Sequence, residues 1–402
     1  MMPFMSRLRL SLAKVALALV ATAAGLLVCE LILRLQEPVF HWLDRHYPMA
    51  MNTPNPVWGY WAKPNAKVLF TLPEPGYTPR EWVYSTNSYG CRYPRDLDVP
   101  KPAGVRRIIL LGDSFTMGLH FEDTIAARLE QRLNRLGDGT RYEVMNCGTT
   151  SYSPLIEYVR FKRQLADLLP DELILNVDLT DVFDDNWRYK PLARFGPDGE
   201  PLSLRLPTGQ RRRTMRWLGE QSYVIRFLVG LRESLRAGMN PSDPAGRAAI
   251  PKNLFIYHFT LPVGSKDWER DVAFCLGNIG WIAQLAKKKG ISLMVTTYPH
   301  RQQLRPDPGQ PLWHREFERR VEQYCRERGI EFFSAFDGIA RAFRVGRRLY
   351  WDTDMHFTPE GQRTWAGLVG DFYLQHLARQ RAALISGKSP HGSAAPAAAS
   401  RP

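Results

Sequence analysis

From Val105 onward, short apolar runs alternate with amphipathic stretches of ten residues or more, and this rhythm restricts the fold more than any other feature of the sequence. Strand candidates are Val105–Leu111, Tyr142–Asn146, Leu173–Val177, Ile291–Thr297 and Ile330–Phe333, with helical patterns at about Thr124–Leu136, Trp268–Lys288 and Glu316–Arg328. Strands joined through a helix run parallel, and a parallel sheet needs helices on both faces. The expected fold is therefore α/β: a three-layer α/β/α sandwich over residues 105–385, with a parallel sheet of about five strands.

The first 35 residues are of another kind. Arg7, Arg9 and Lys14 precede an uncharged apolar run from Val15 to Cys29, and Leu31-Ile32-Leu33 extends it beyond Glu30. Counted through Leu33, the run approaches the ~20 residues that cross a bilayer core. Cations on its N-terminal side keep that side cytoplasmic and send the chain beyond the run across the membrane. We read residues 1–35 as a signal anchor, a single-pass helix with the rest of the chain exported. Cleavage after Ala21-Thr22-Ala23 is the alternative, but it leaves a short apolar core and strands a second apolar half on the mature protein. A lipoprotein site at Cys29 is disfavoured by the bulky Val28 before it.

Residues 36–104, rich in Pro, Tyr and Trp and without helical period, read as an ordered extracytoplasmic extension. Between about 184 and 251 the alternation lapses, with Arg211-Arg212-Arg213, several prolines and one helical pattern at Tyr223–Leu235. This reads as an insertion over the C-terminal edge of the sheet, where loops build sites. Residues 386–402, mostly Ala, Ser, Pro and Gly, read as a disordered tail. The formal net charge of +14 favours anionic surfaces such as envelope polymers. A nucleic-acid partner is disfavoured by the apolar N-terminus. Five scattered cysteines without a C-x-x-C spacing support no zinc or redox motif, and leave one disulfide open but unassigned.

Two motifs carry chemistry. In Ile108-Ile109-Leu110-Leu111-Gly112-Asp113-Ser114-Phe115, a serine stands at the turn from a buried strand into a helix, which suits a nucleophile whose own N–H donates to an oxyanion. By itself Asp-Ser is equally an ordinary helix N-cap. Near the other end, Asp352-Thr353-Asp354-Met355-His356 precedes Thr358-Pro359-Glu360. A histidine with acidic neighbours, above the sheet edge, can take a proton from Ser114 while a carboxylate fixes its tautomer. A lone surface histidine beside a helix cap is the bland reading. The two motifs in one alternating α/β chain favour catalysis.

Taken together, Gly112-Asp113-Ser114-Phe115-Thr116-Met117-Gly118 resembles the first block of GDSL/SGNH hydrolases, in particular bacterial membrane-anchored members. Asn87-Ser88-Tyr89-Gly90-Cys91-Arg92 resembles their Asn-x-x-Gly-x-Arg lead-in, Asn146-Cys147-Gly148 their second block, and Asp354-x-His356 with Pro359-x-Gly361 their last. The resemblance spans roughly residues 85–380. It implies a serine nucleophile at Ser114, His356 as general base, Asp354 as its orienter with Asp352 in reserve, and no metal or organic cofactor. The implied oxyanion donors are the N–H groups of Ser114 and Gly148 together with Thr180. Thr180 departs from the pattern by standing in an asparagine slot, where its hydroxyl is shorter and free to rotate. The implied reaction is hydrolysis or transfer of an O-acyl ester, acetyl by preference, on an envelope or exopolysaccharide carbohydrate. The rival reading is a non-catalytic, sugar-binding envelope module that partners a membrane acyltransferase.

Overall fold

A computed structural model describes residues 2–35, 52–71, 81–205, 222–225, 228, 263–304, 315–352 and 355–385. The chain divides into two compact units. The first holds α1 (Met2–Leu35). Within it Ala13–Leu35, 23 residues of mean hydropathy 2.4, is long and apolar enough to cross a membrane, and none of it is buried against protein. A membrane anchor and a signal sequence both have this form. Glu30, near the end of the run, accepts hydrogen bonds from Ser222 Oγ (2.9 Å), Tyr223 N and Val224 N (3.0 Å each) and Arg34 Nε (2.8 Å). Its charge thus has four donors, as a carboxylate beside an apolar segment requires. Residues 223–225 and 228 are helical, as the pattern there suggests. The remainder of that expected helix, the arginine run at 211–213 and the tail at 386–402 lie outside the described residues.

Four short strands come first: β1 (Asn52–Asn55), β2 (Gly59–Ala62), β3 (Lys67–Thr71) and β4 (Glu81–Ser85). The second unit then carries β5 (Val105–Leu111), β6 (Arg141–Asn146) and β7 (Glu172–Val177), an antiparallel pair β8 (Ala193–Phe195) and β9 (Pro201–Leu204), β10 (Ser292–Thr297) and β11 (Glu331–Ser334). Five of them form one parallel sheet in the order β11-β10-β7-β5-β6. The helices that cover or border the sheet are α2 (Ser114–Met117), α3 (Ile125–Asn134), α4 (Pro154–Arg163), α5 (Thr180–Phe183), α6 (Lys266–Lys288), α7 (Glu316–Glu327), α8 (Phe336–Arg344) and α9 (Pro359–Ile385), with one further turn at Arg301–Leu304. The three-layer α/β/α expectation is met, with five parallel strands.

Successive strand residues point to opposite faces. Ile109, Leu111, Leu173, Leu175 and Val295 pack with residues of α4, α6 and α7. Ile108, Leu110, Ile174 and Met294 pack with α3, α8 and α9. Each such side chain contributes about 1.5–3 kcal/mol of transfer free energy, so both faces must be covered and the helices sort accordingly. Helix α4 has no counterpart in the sequence reading. Every residue from Pro154 to Phe161 is buried, so no polar stripe marks its period. The chain leaves β5 for β6 on one side and crosses to β7 on the other, which opens a crevice at the C-terminal ends of β5 and β7.

Cys91 and Cys147 form a disulfide across 56 residues, tying the loop ahead of β5 to the end of β6. Buried Arg160 of α4 donates to Cys147 O (3.2 Å), Thr149 Oγ1 (3.1 Å), Tyr89 O (2.9 Å) and Gly90 O (3.3 Å), holding the same two loops from the other side. Closing a loop of this length stabilises a fold by about 4 kcal/mol through the unfolded chain. The Cys91→Ser/Cys147→Ser double variant is therefore expected to unfold at lower denaturant, with a loss near that value. An unchanged midpoint would show that Arg160 alone suffices.

Candidate active site

The crevice edge is built on α2, a single turn. Gly112 makes the turn out of β5 at φ 153°, and a Cβ there would stand 2.0 Å from Thr116 Oγ1, so only glycine fits. Asp113 caps the turn, its Oδ1 accepting from Phe115 N at 2.9 Å. Ser114 comes next as the first helical residue, where the backbone N–H has no intrahelical acceptor. One turn is far too short to stand alone, and its carbonyl groups are taken by side chains from elsewhere. Gln362 Nε2 donates to Phe115 O (3.1 Å) and Asn146 Nδ2 to Thr116 O (2.8 Å). Arg92, buried, donates to Met117 O (2.6 Å), Gly118 O (2.7 Å) and Leu119 O (2.9 Å).

His356 reaches the serine: its Nε2 lies 2.7 Å from Ser114 Oγ. The loop that carries it is pinned by Trp351 N to His356 O (3.1 Å) and by a bridge between Tyr350 and Phe357. Thr358 caps α9 as the sequence suggests, its Oγ1 accepting from Gly361 N at 3.1 Å. The ring packs on Phe115, centroids 4.9 Å apart. Asp354 and Thr353 lie outside the described residues. Asp352 sits at the surface with Oδ1 3.2 Å from an Arg301 nitrogen and Oδ2 2.5 Å from an Arg348 nitrogen, so both its oxygens are engaged by arginines.

The three expected oxyanion donors are arranged differently from one another. Ser114 stands as described. Gly148 packs against α2 so closely that a Cβ would lie 2.5 Å from Met117 N, but its N–H donates to Asn146 Oδ1 at 3.0 Å. Thr180 faces an internal acceptor: both its N–H (2.7 Å) and its hydroxyl (2.5 Å) donate to Asp178 Oδ1. A hydroxyl has one proton, and a carboxylate two residues away outcompetes any neutral acceptor for it.

Sequence reasoning missed the layer beneath. Asp178 Oδ2 accepts from Tyr298 Oη (2.7 Å) and His300 Nε2 (2.7 Å), and Tyr298 Oη is also 3.0 Å from Asp113 Oδ1. Asp178, Tyr298 and His300 are buried. The only trace of Tyr298 and His300 in sequence is Tyr298-Pro299-His300 directly after a strand, which without a partner reads as loop. Burial, then the charge of Asp178, pushes Asp113 up to about 7. Burial also raises Asp185 to about 6 and Asp184 to about 8. For Asp178 burial is outweighed by His300 and by the donors from His300, Thr180 and Tyr298, and it falls to about 2. Among the described residues no group of three His, Cys, Asp or Glu side chains is arranged to hold a metal ion.

No protein-family model and no curated protein matches the chain. Among solved structures it is similar to a GDSL-like lipase from Bacteroides thetaiotaomicron (13% identity, 67% of this chain and 88% of that one, TM-score 0.34). It is similar also to a lipase/acylhydrolase from Enterococcus faecalis (12%, 66% and 94%, 0.37). A third is a catalytic mutant of an acetylxylan esterase from Geobacillus stearothermophilus (11%, 66% and 92%, 0.38). The structural neighbours are thus GDSL-like lipase and acylhydrolase proteins, at low sequence identity.

The electrostatics make stability depend on pH. Unfolded aspartates titrate near ~3.9, so the folded chain keeps protons on Asp113, Asp184 and Asp185 that the unfolded chain releases. Their contribution to stability is full below about pH 4 and is lost as pH rises through about 6 to 8. Melting temperature at fixed ionic strength should fall between about pH 5.5 and 8.5, and Asp113→Asn should flatten the slope. Thr180→Val should lower stability by about 1–3 kcal/mol through the donor lost to Asp178.

Proposed function

We propose that this chain is a membrane-anchored serine esterase of the GDSL/SGNH type, hydrolysing or transferring an O-acyl group through an acyl-serine intermediate. The observation that carries the reading is the 2.7 Å contact between Ser114 Oγ and His356 Nε2 at the crevice between β5 and β7. In the proposed reaction His356 takes the Ser114 proton as Oγ attacks the ester carbonyl, then gives it to the departing alcohol. Water or a second alcohol, deprotonated by the same histidine, releases the acyl group. The oxyanion is held by the Ser114 N–H and by the Gly148 N–H, which must turn from Asn146 Oδ1 to the substrate oxygen. Asp354 orients His356. The engagement of Asp352 with Arg301 and Arg348 supports that choice over its neighbour.

Location and substrate belong to the same proposal. The apolar run within α1, behind Arg7, Arg9 and Lys14, supports an inner-membrane anchor with a periplasmic domain. The Cys91–Cys147 bridge fits an oxidising compartment, and the net charge of +14 fits an anionic envelope. The proposed substrate is an O-acylated, preferentially acetylated, envelope or exopolysaccharide carbohydrate. One observation favours the rival reading, a non-catalytic module beside a membrane acyltransferase: Gly148 N–H and the Thr180 hydroxyl both serve internal acceptors.

A fluorophosphonate probe separates the two. Labelling of the folded chain that disappears in Ser114→Ala supports the enzyme, and absence of labelling supports the module. On a short-chain ester Ser114→Ala should abolish activity with an unchanged melting temperature. Asp354→Asn should lower turnover by up to ~10⁴-fold, whereas Asp352→Asn should cost much less turnover and some stability. If Asp352→Asn proves the crippling change, the orienting acid is misassigned. A reporter fused after Ile385 should be active only outside the cytoplasm, and cytoplasmic activity would overturn the orientation.

A further inference from the structure

Three oxygen atoms lie in a row behind Ser114. Asp113 Oδ1 is 3.0 Å from the Tyr298 hydroxyl, and that hydroxyl is 2.7 Å from Asp178 Oδ2. All three residues are buried. Two hydrogen bonds need two protons, and a phenol has one. Were both carboxyls ionised, one contact would set a carboxylate against a phenol lone pair in a dry site, which is repulsive. The second proton must therefore sit on an aspartate.

The donor count says which one. Asp178 receives Thr180 N, Thr180 Oγ1, His300 Nε2 and the phenol. Asp113 receives Phe115 N and stands against the phenol. Hydrogen bonds to a carboxylate favour its charged form, so Asp178 is the ion. We propose that Asp113 is a positioning residue held as a neutral carboxylic acid, donating its proton to the Tyr298 oxygen while the phenol proton goes to Asp178. The net shifts of the two groups agree: burial and the charge of Asp178 move Asp113 upward, whereas for Asp178 burial is outweighed by His300 and the hydrogen-bond donors, which move it downward.

The groups that act on Asp113 come from every side: Asp178 at the end of β7, Tyr298 after β10, His356 from the loop before α9, Glu157 of α4, and Asp181 and Asp184 at α5. Asp178, Glu157, Asp181 and Asp184 carry or can carry negative charge and favour the neutral acid, while the charge of His356 and the hydrogen bond with Tyr298 act the other way. A neutral Asp113 caps α2 without placing a negative charge one residue from Ser114. That advantage rests on Ser114 being the nucleophile, but the protonation itself does not.

Infrared difference spectroscopy on the full-length, detergent-solubilised chain tests it. At about pH 6, below the point near 7 where Asp113 titrates, wild type minus Asp113→Asn should show the loss of one carboxylic-acid carbonyl band. Asparagine caps helices as well as aspartate does, so the variant should fold. Loss of a carboxylate band instead would overturn the proposal. Tyr298→Phe provides a second decision, since removing the acceptor oxygen should shift the acid band, and an unmoved band would overturn the proposal as well. Fluorophosphonate labelling of the same sample keeps the two readings apart. An acid band without labelling sinks the esterase and spares the proton, while labelling without an acid band does the reverse.

Discussion

Everything at the crevice depends on how the carbonyl groups of one helical turn are satisfied. Helix α2 has four residues, and nucleation theory gives such a turn no stability of its own. Its C-terminal carbonyls instead accept from Gln362, Asn146 and Arg92, which come from α9, the end of β6 and the loop ahead of β5. Those three side chains lie in or beside three of the sequence blocks that resemble the GDSL/SGNH pattern. The blocks are far apart in the chain because each supplies one clamp to the turn that holds Ser114. Arg92 has carbonyl dipoles as acceptors in place of a counter-ion, and burial brings it down to about 10. The cation is still charged at any ordinary pH.

Under this turn the protein keeps an unusual density of buried acid. Asp113, Asp178, Asp181, Asp184, Asp185 and Glu157 are all buried at or near the C-terminal edge of the sheet. They cannot all ionise, because burying like charges together in a low-dielectric interior is prohibitive. The structure resolves the conflict through unequal hydrogen bonding. Asp178 gathers four donors and keeps its charge, while Asp113 and its neighbours are pushed toward the neutral form. Asp185 is tied by Ser153 (2.6 Å), Leu155 N (3.0 Å) and Asn278 (2.8 Å), which fastens the residues after α5 to α4 and α6.

Close backbone approach is the third constraint. Gly112 and Gly148 face α2 from the two adjacent strands, and a methyl group at either would collide with Thr116 or Met117. The Cys91–Cys147 bridge and Arg160 hold the Gly148 loop against that contact. Side-chain volume is thus excluded on the sheet side of the serine, and the open side is the crevice.

The architecture is legible along the chain. Short apolar runs and strand–helix alternation are local properties, so five parallel strands, most of the covering helices and the apolar α1 could be read residue by residue. Helix α4 escaped because it is buried on all sides and shows no period. Ser114 and His356 were legible for a related reason: each stands where a regular element begins or ends, and short motifs record such places. Who receives each proton emerges only on folding. The Thr180 hydroxyl turns to Asp178, two residues away, because a carboxylate there is a strong acceptor. Tyr298 and His300 carry no pattern, yet folding brings them 120 and 122 residues across the chain to the same carboxylate. The pairing of Cys91 with Cys147, rather than with Cys275 or Cys325, is likewise a matter of distance in space. Hydrogen-bond partners and charge states depend on which groups share a dry volume, and a linear sequence does not contain that information.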